Sequence, residues 1–447
     1  MPIILPPFIE SLLDRFTQNG AEAYVVGGCI RDSLRGETPH DWDVATSALP
    51  EQTMAMFSDC TVIPTGLQHG TVTVLWHDMP VEITTYRVDG AYSDSRRPDS
   101  VQFTRSLTED LRRRDFTINA LAYHPAHGLV DPFGGQADLE NRCIRCVGDA
   151  DTRFTEDALR ILRALRFSSV LGFSIEQETA RSLVRLRARL DAVAPERIAS
   201  ELTKLLCGEN VCEVLLDYAP VITQLLPELA PAVGFAQNSP YHCYDVYTHI
   251  AHSVAAVPAD PILRWTMLLH DSGKPACYTQ DQRGVGHFHG HAAVSEPYAE
   301  AILRRLRMDN ATLTAVCELV RLHDVPIEPT ERVVLRWLNR IGEERLRQLL
   351  LVKAADCAAQ APHVRDRLEL LPRISALIEQ IKASHSCFSL RTLAVNGNDL
   401  LARGAPAGKP VGELLERLLD AVISGQRPNE KSALLALADQ WICQMQK

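Results

Sequence analysis

Apolar residues change their spacing along this chain, and the change divides it. Phe8, Leu12, Leu13 and Phe16 recur at helical period and predict a helix over residues 8–18, closed by Gly20. Tyr24–Val26 reads as a short apolar strand that runs into Gly27-Gly28. A helix is expected over residues 47–57, where Pro50 falls in a first turn that tolerates it. Residues 71–76 and 81–86 are rich in β-branched side chains and flank His-Asp-Met-Pro, a hairpin signal. Residues 87–100 are polar, lack a period and read as a mobile loop.

From about Leu139 the strand pattern stops and helical spacing takes over. Residues 155–171 predict one strong helix, with Thr155 as its cap and Glu156 and Asp157 in its first turn. Helices follow over 178–190 and 195–206, until Pro227, Pro231, Gly234 and Pro240 interrupt. A second helical block runs from Tyr244 to about Gln360, and a third holds helices over 414–422 and 432–442 with a turn at Asn396-Gly397. The expected fold class is α+β: an N-terminal domain of sheet and helices over 1–140, then helical domains over 141–225, 240–360 and 361–447.

Composition adds bounds. The 447 residues are 46% hydrophobic and 23% charged, as in a soluble protein of several domains. No apolar run approaches the roughly 18 residues of a membrane span, and MPIILPPFIE lacks the basic n-region of a signal peptide. A cytoplasmic protein without membrane contact is expected. Its 12 cysteines are scattered like buried thiols of a reducing compartment, and Cys143/Cys146 has no second pair at zinc-ribbon spacing. A net charge of −10 argues against a general nucleic-acid-coating protein. Residues 141–206 nevertheless carry twelve basic side chains against nine acidic ones, room for one basic face toward a phosphate backbone.

Chemistry concentrates first in Gly27–Asp43. Glycines let backbone N–H groups approach a phosphate. Asp41 and Asp43, two apart, share one face if extended, a spacing that suits two divalent ions in phosphoryl chemistry. Alone, such a pair is most often two turn or cap carboxylates. Glu82 lies on the hairpin face that would present a third carboxylate. In LRRRDFTINALAY, Arg114 can hold a triphosphate and Asp115 can accept from a ribose hydroxyl, with Asn119 beside them; a basic surface turn explains the segment equally well. Glu156, Asp157, Arg160, Arg163 and Arg166 lie three or four apart on one helix surface. That is either a salt-bridged solvated face or an acceptor-and-donor edge for a base, with arginines beyond it for phosphates.

Taken in order, Gly27-Gly28-x-x-Arg31-Asp32, Asp41-Trp-Asp43, Arg113-Arg114-Asp115-Phe-Thr-Ile-Asn119-Ala and Glu156-Asp157-x-x-Arg160 resemble the class II tRNA nucleotidyltransferases of bacteria, in the DNA polymerase β superfamily. The resemblance implies head, neck, body and tail domains, and CCA addition to tRNA from CTP and ATP without a nucleic-acid template. It implies two Mg2+ ions on Asp41 and Asp43 with Glu82 as third carboxylate. Gly27, Gly28, Arg31 and Arg114 would take the triphosphate, Asp115 and Asn119 the ribose, and Glu156, Asp157 and Arg160 the base, with Arg163 and Arg166 further along. Pro195-Glu196-Arg197-Ile198 matches a later neck motif, and the tail with Lys409, Arg417 and Arg427 would grip tRNA by phosphate and shape. A-adding enzymes and poly(A) polymerases share these motifs and stand as alternatives. CC-only enzymes lack the loop that is intact here over residues 87–98.

Downstream, His270-Asp271-Ser-Gly-Lys274 resembles the signature of HD-type metal-dependent phosphohydrolases. With His249, His291, His323 and Asp356 it would form a second divalent-metal site, and His287 and His289 lie close by. An alternative of another class follows, in which this block is the working enzyme and the head only binds RNA.

Overall fold

The computed structural model describes residues 3–39, 41–90, 101–384 and 387–445. The chain divides into two compact units, residues 1–230 with 305–308, and 231–304 with 309–447.

The first unit opens with α1 (Pro7–Gln18), whose Leu12, Leu13 and Phe16 pack on one face of a sheet. Next come β1 (Ala23–Val26), α2 (Gly28–Leu34), β2 (Asp43–Thr46), α3 (Pro50–Met56), β3 (Thr61–Gly66), β4 (Thr71–Trp76) and β5 (Met79–Thr85). The expected hairpin forms with a tighter turn: His77 and Asp78 alone make it, at φ 50° and 63°, and Met79-Pro80 already belong to β5. Positive φ at both positions gives the twist that matches paired strands. After β6 (Arg87–Asp89) and β7 (Val101–Phe103) come α4 (Leu107–Arg112), β8 (Ala122–His124), β9 (Gly128–Val130) and α5 (Gly135–Glu140). Seven strands form one sheet in the order β3-β4-β5-β2-β1-β8-β9.

The stretch expected to be a loop over 87–100 begins and is followed by paired strands, β6 on β7. Its centre, 91–100, lies outside the described residues. Strands also continue past Leu139: β10 (Cys143–Ile144) pairs in parallel with β11 (Ser174–Ile175).

Between those two strands, the single helix expected over 155–171 is two. α6 (Ala150–Glu156) is capped by Asp149, which accepts from Thr152 N, so Thr155 is no cap. The chain then breaks at Asp157 (φ −137°, ψ 104°) before α7 (Leu159–Leu171). The unit is completed by α8 (Gln177–Arg185), α9 (Pro195–Leu206), α10 (Val211–Asp217) and α11 (Ala219–Leu225).

The second unit is mostly helical. It contains α12 (Val246–Ala256), α13 (Pro261–Leu269), a short ribbon of β12 (Thr279–Gln280) and β13 (Gly286–His287), α14 (His291–Arg305), α15 (Asn310–Leu322) and α16 (Glu331–Ala358), which is broken at Gly342. Then follow α17 (Leu370–Ala383), α18 (Gly397–Leu401), α19 (Lys409–Ile423) and α20 (Lys431–Met445). Asn396 is no free turn: its side chain accepts from Asn398 N and Asp399 N and caps α18. Two of the three tail basic residues have partners inside the tail: Arg417 lies 4.2 Å over Trp441, and Lys409 is 3.4 Å from Glu413. Among the described residues, no helix is long and apolar enough to cross a membrane.

Candidate active site

β1 delivers the chain to Gly27, whose φ of 82° is open to glycine and strained for other residues. A Cβ there would meet the Arg114 guanidinium at 3.0 Å, so the glycine also makes room for that arginine. Arg31, on α2, crosses beneath Gly28, binds Asp32 at 2.8 Å and donates to Asn119 Oδ1 at 2.8 Å. The glycine turn is thus lined by cations as well as by its own amides.

Asp41 precedes β2 and Asp43 opens it. β2 pairs in parallel with β5, and the register sets Asp43 directly opposite Glu82. Adjacent strands lie about 4.8 Å apart, which brings the two backbones within carboxylate reach. Desolvation raises the Asp43 carboxyl above its ordinary value, Arg114 opposes the shift, and the like charges of Glu82 and Asp41 add to it. Asp43 thus has Glu82, Asp41 and Arg114 as its charged neighbours, and among the described residues the three acids do not form a ligand group within 4.8 Å of one another. Asp110, fully buried on α4, holds Arg113 at 2.8 Å and Arg114 at 3.6 Å. Sequence reading passed over Asp110, although its i,i+3 and i,i+4 spacing to the two arginines was the available signal.

Asp115 is buried and saturated. One oxygen accepts from Phe116 N (2.8 Å) and Asn119 Nδ2 (3.1 Å), the other from Arg163 Nε (2.8 Å) and Nη2 (2.6 Å). Burial acts to raise its pKa, but Arg163 and the hydrogen bonds outweigh burial and hold it at about 2.

The expected common helix surface for residues 156–166 is interrupted, since Glu156 ends α6 and Asp157 sits in the break. Contacts restore the grouping. Glu156 lies between Arg153 and Arg160, 2.7 Å from each, and Arg160 also donates to Arg113 O at 3.0 Å. Asp157 accepts from Leu159 N at 3.1 Å and from Arg197 of α9 at 3.0 Å. Arg166 pairs with Glu201 at 3.2 Å, so Arg163 and Arg166 each bind a carboxylate of the protein. Arg197 stands in the neck motif without an assigned role; its partner Asp157 lies in the break between α6 and α7, which the pattern does not reveal.

The second unit gathers the other set. His249 comes from α12, His270 and Asp271 follow α13, His291 opens α14, His323 follows α15, and Asp356 lies on α16. Their ligand atoms form two groups, each within 4.8 Å: His249, His270, Asp271 and Asp356, and Asp271, His291 and His323. Asp271 belongs to both. Its Oδ2 faces His249 (3.2 Å) and His270 (3.3 Å), and its Oδ1 faces His291 (3.2 Å) and His323 (3.7 Å). In all four histidines Nδ1 lies against a backbone carbonyl, of Ala359, Met267, Phe288 and Val320. That contact fixes the tautomer and turns the Nε2 lone pair into the cluster, as in metal-bound histidine. His287 and His289 line the adjoining cavity of about 260 Å³ but lie outside both groups, and His287 faces Asp281 at 3.3 Å. Lys274, 2.6 Å from Asp271, and His242 on the cavity wall complete the surroundings; neither carries a role in the sequence pattern.

Comparisons with known proteins follow this division. A family profile described as "Poly A polymerase head domain" matches residues 23–145, "Probable RNA and SrmB- binding site of polymerase A" matches 172–233, and a "tRNA nucleotidyltransferase domain 2" profile matches 287–438. The chain is 37% identical over 442 residues to the CCA-adding enzyme of Geobacillus kaustophilus, covering 96% of each. It is 35% identical over 437 residues to that of Oceanobacillus iheyensis, covering 97% of each. The crystal structure of the Bacillus stearothermophilus CCA-adding enzyme in complex with CTP is similar at TM-score 0.75 and 31% identity, over 99% of both chains. A Thermotoga maritima CCA-adding enzyme complexed with tRNA shares the fold at TM-score 0.58 and 20% identity, over 99% of this chain and 97% of that one.

Proposed function

Because this chain belongs to the CCA-adding enzymes, the class II tRNA nucleotidyltransferases of bacteria, we propose that the acids around β2 are its transfer site and the α6–α7 break its nucleotide reader. The enzyme adds C, C and A to the 3′ end of tRNA from CTP and ATP. The 3′-hydroxyl of the tRNA attacks the α-phosphorus of the nucleotide, and pyrophosphate departs.

The observation that carries this reading is the register of Asp43 against Glu82, with Asp41 two residues away. Asp43 has two like charges, Glu82 and Asp41, against the single cation Arg114, and an all-oxygen donor set suits Mg2+. Asp41, Asp43 and Glu82 would hold it, and the ions would neutralise the triphosphate and acidify the attacking hydroxyl. Arg114 and Arg31, beside the Gly27-Gly28 turn, would attract and orient the triphosphate, and Asp115, steadied by Asn119, would accept from the ribose.

Asp157 and Arg160 would read the base. Cytosine and adenine each present an amino donor beside a ring-nitrogen acceptor, which a carboxylate and a guanidinium complement; uracil and guanine present the reverse. Glu156 would hold Arg160 in place for this. We place the work in the cytoplasm.

The test is incorporation on tRNA ending at the discriminator base. CTP alone should add two residues, and ATP then one more. Failure to add C would move the assignment to an A-adding enzyme.

The four Nδ1–carbonyl contacts favour a second, additional reading: a metal-dependent phosphohydrolase site in the second unit. His249, His270, Asp271 and Asp356 would hold one divalent ion, and Asp271, His291 and His323 another.

A further inference from the structure

Asp115 presents a difficulty for any ribose that approaches it. A carboxylate offers about four lone-pair positions, and all four here already accept N–H donors. A hydroxyl can donate to this group only if one donor withdraws. Phe116 N is backbone. Asn119 is held at its far end by Arg31. Arg163 remains, and it is the exposed member of its pair, with its side chain 32% accessible against 8% for Asp115.

Arg163 also has somewhere to go. Its guanidinium lies 5.5 Å from the centre of the buried Phe167 ring, which Arg31 (5.1 Å) and Arg166 (4.2 Å) also approach. A ring face lowers the cost of releasing a guanidinium from its carboxylate. Arg166 does not compete for Asp115, since it is bound to Glu201.

We propose that Arg163 is a displaceable stand-in for the ribose hydroxyl on Asp115, a positioning residue that the incoming ribonucleotide must move aside. The inference rests on the reading of Asp115 as the ribose acceptor. Before binding, Arg163 keeps the buried carboxyl ionised and correctly turned. A ribonucleotide replaces two N–H donors with its 2′-hydroxyl, whereas a 2′-deoxyribonucleotide lacks that donor and leaves the ion pair closed. Arg163 therefore taxes ribonucleotide binding and leaves deoxyribonucleotide binding untouched.

The experiment is single-turnover addition to tRNA lacking its CCA end, with CTP or dCTP, by the full-length enzyme and its Arg163→Met, Arg163→Lys and Asp115→Ala variants. In Arg163→Met the KM for CTP should fall, on the order of tenfold, the worth of one hydrogen bond to a charged group. The KM for dCTP should stay unchanged, so the preference for CTP widens. Arg163→Lys should move the same way by less, and it carries the test if the methionine variant fails to fold. Asp115→Ala should narrow the preference. Equal weakening of CTP and dCTP in the Arg163 variants would overturn the inference, because it would make Arg163 a brace or a phosphate ligand. An unchanged preference in Asp115→Ala would instead overturn the ribose reading on which the inference stands.

Discussion

The acids around β2 and the histidine–aspartate cluster of the second unit differ in what each can hold unaided. The first set is three carboxylates, all of them exposed. Magnesium binds such sites through one or two carboxylates and completes its shell with water and substrate phosphates. On the proposed assignment the nucleotide would finish this site. The second set supplies six side chains, five of them buried, with histidine orientations fixed by the backbone. That site is finished by the fold. On the proposed assignment the first region would take an ion that arrives and leaves with the substrate, and the second an ion that stays.

The sharpest way to break the contrast is to exchange the losses. Asp43→Ala should lower nucleotide addition by about 10³-fold or more, the upper range for removing one electrostatic contact to a transition state. Metal content after gel filtration should be unchanged. Asp271→Ala should do the reverse, removing bound metal in elemental analysis while CCA addition persists. Loss of addition in both variants would end the claim that the two sites work separately.

Acid should separate the sites next. Histidine must be neutral to bind metal. Burial acts to lower the His270 pKa, but the carboxylates of Asp271 and Asp356 hold it up to about 10. An ion must displace that proton, so affinity at the cluster should fall at least about tenfold from about pH 7.5 to about pH 5.5. Carboxylates near their usual value of about 4 stay ionised there. Asp43 is shifted upward and should take a proton before an ordinary carboxylate does as pH falls further. Paramagnetic titration with Mn2+ at both pH values, with and without CTP, would follow the two populations. Equal sensitivity would erase the distinction.

The smallest expected effect is on stability. A resident ion at a hundredfold excess over its Kd adds about 2.7 kcal/mol, so chelation should lower the melting of the second unit by roughly 5–10 °C. Chelation in the absence of nucleotide should leave the first unit's transition in place.

What could be read from the sequence follows the same line. The His-Asp doublet and its partners were legible because each lies at or near a helix end that the apolar period already marks. Asp41, Asp43 and Glu82 were legible as residue types. Their meeting depends on the parallel pairing of β2 with β5, which hydrophobic alternation within each strand does not specify. The break at Asp157 was hidden for a different reason. No Gly or Pro marks it, and what occupies the Asp157 carboxylate is Arg197, forty residues on. Local propensity favours one helix there, and a tertiary ion pair accompanies two. The same blindness covered Asp115, whose four donors include two from Arg163 of α7.

One consequence of the shared carboxylate concerns redundancy. The two ligand groups overlap only at Asp271. Losing His323 or His291 leaves the four-member group whole, and losing His249, His270 or Asp356 leaves the three-member group whole. Damage at those five positions is therefore partial and graded. Asp271 has no backup: it is the single point of failure for both halves, and drift at the other five can be survived one at a time while drift at this one cannot.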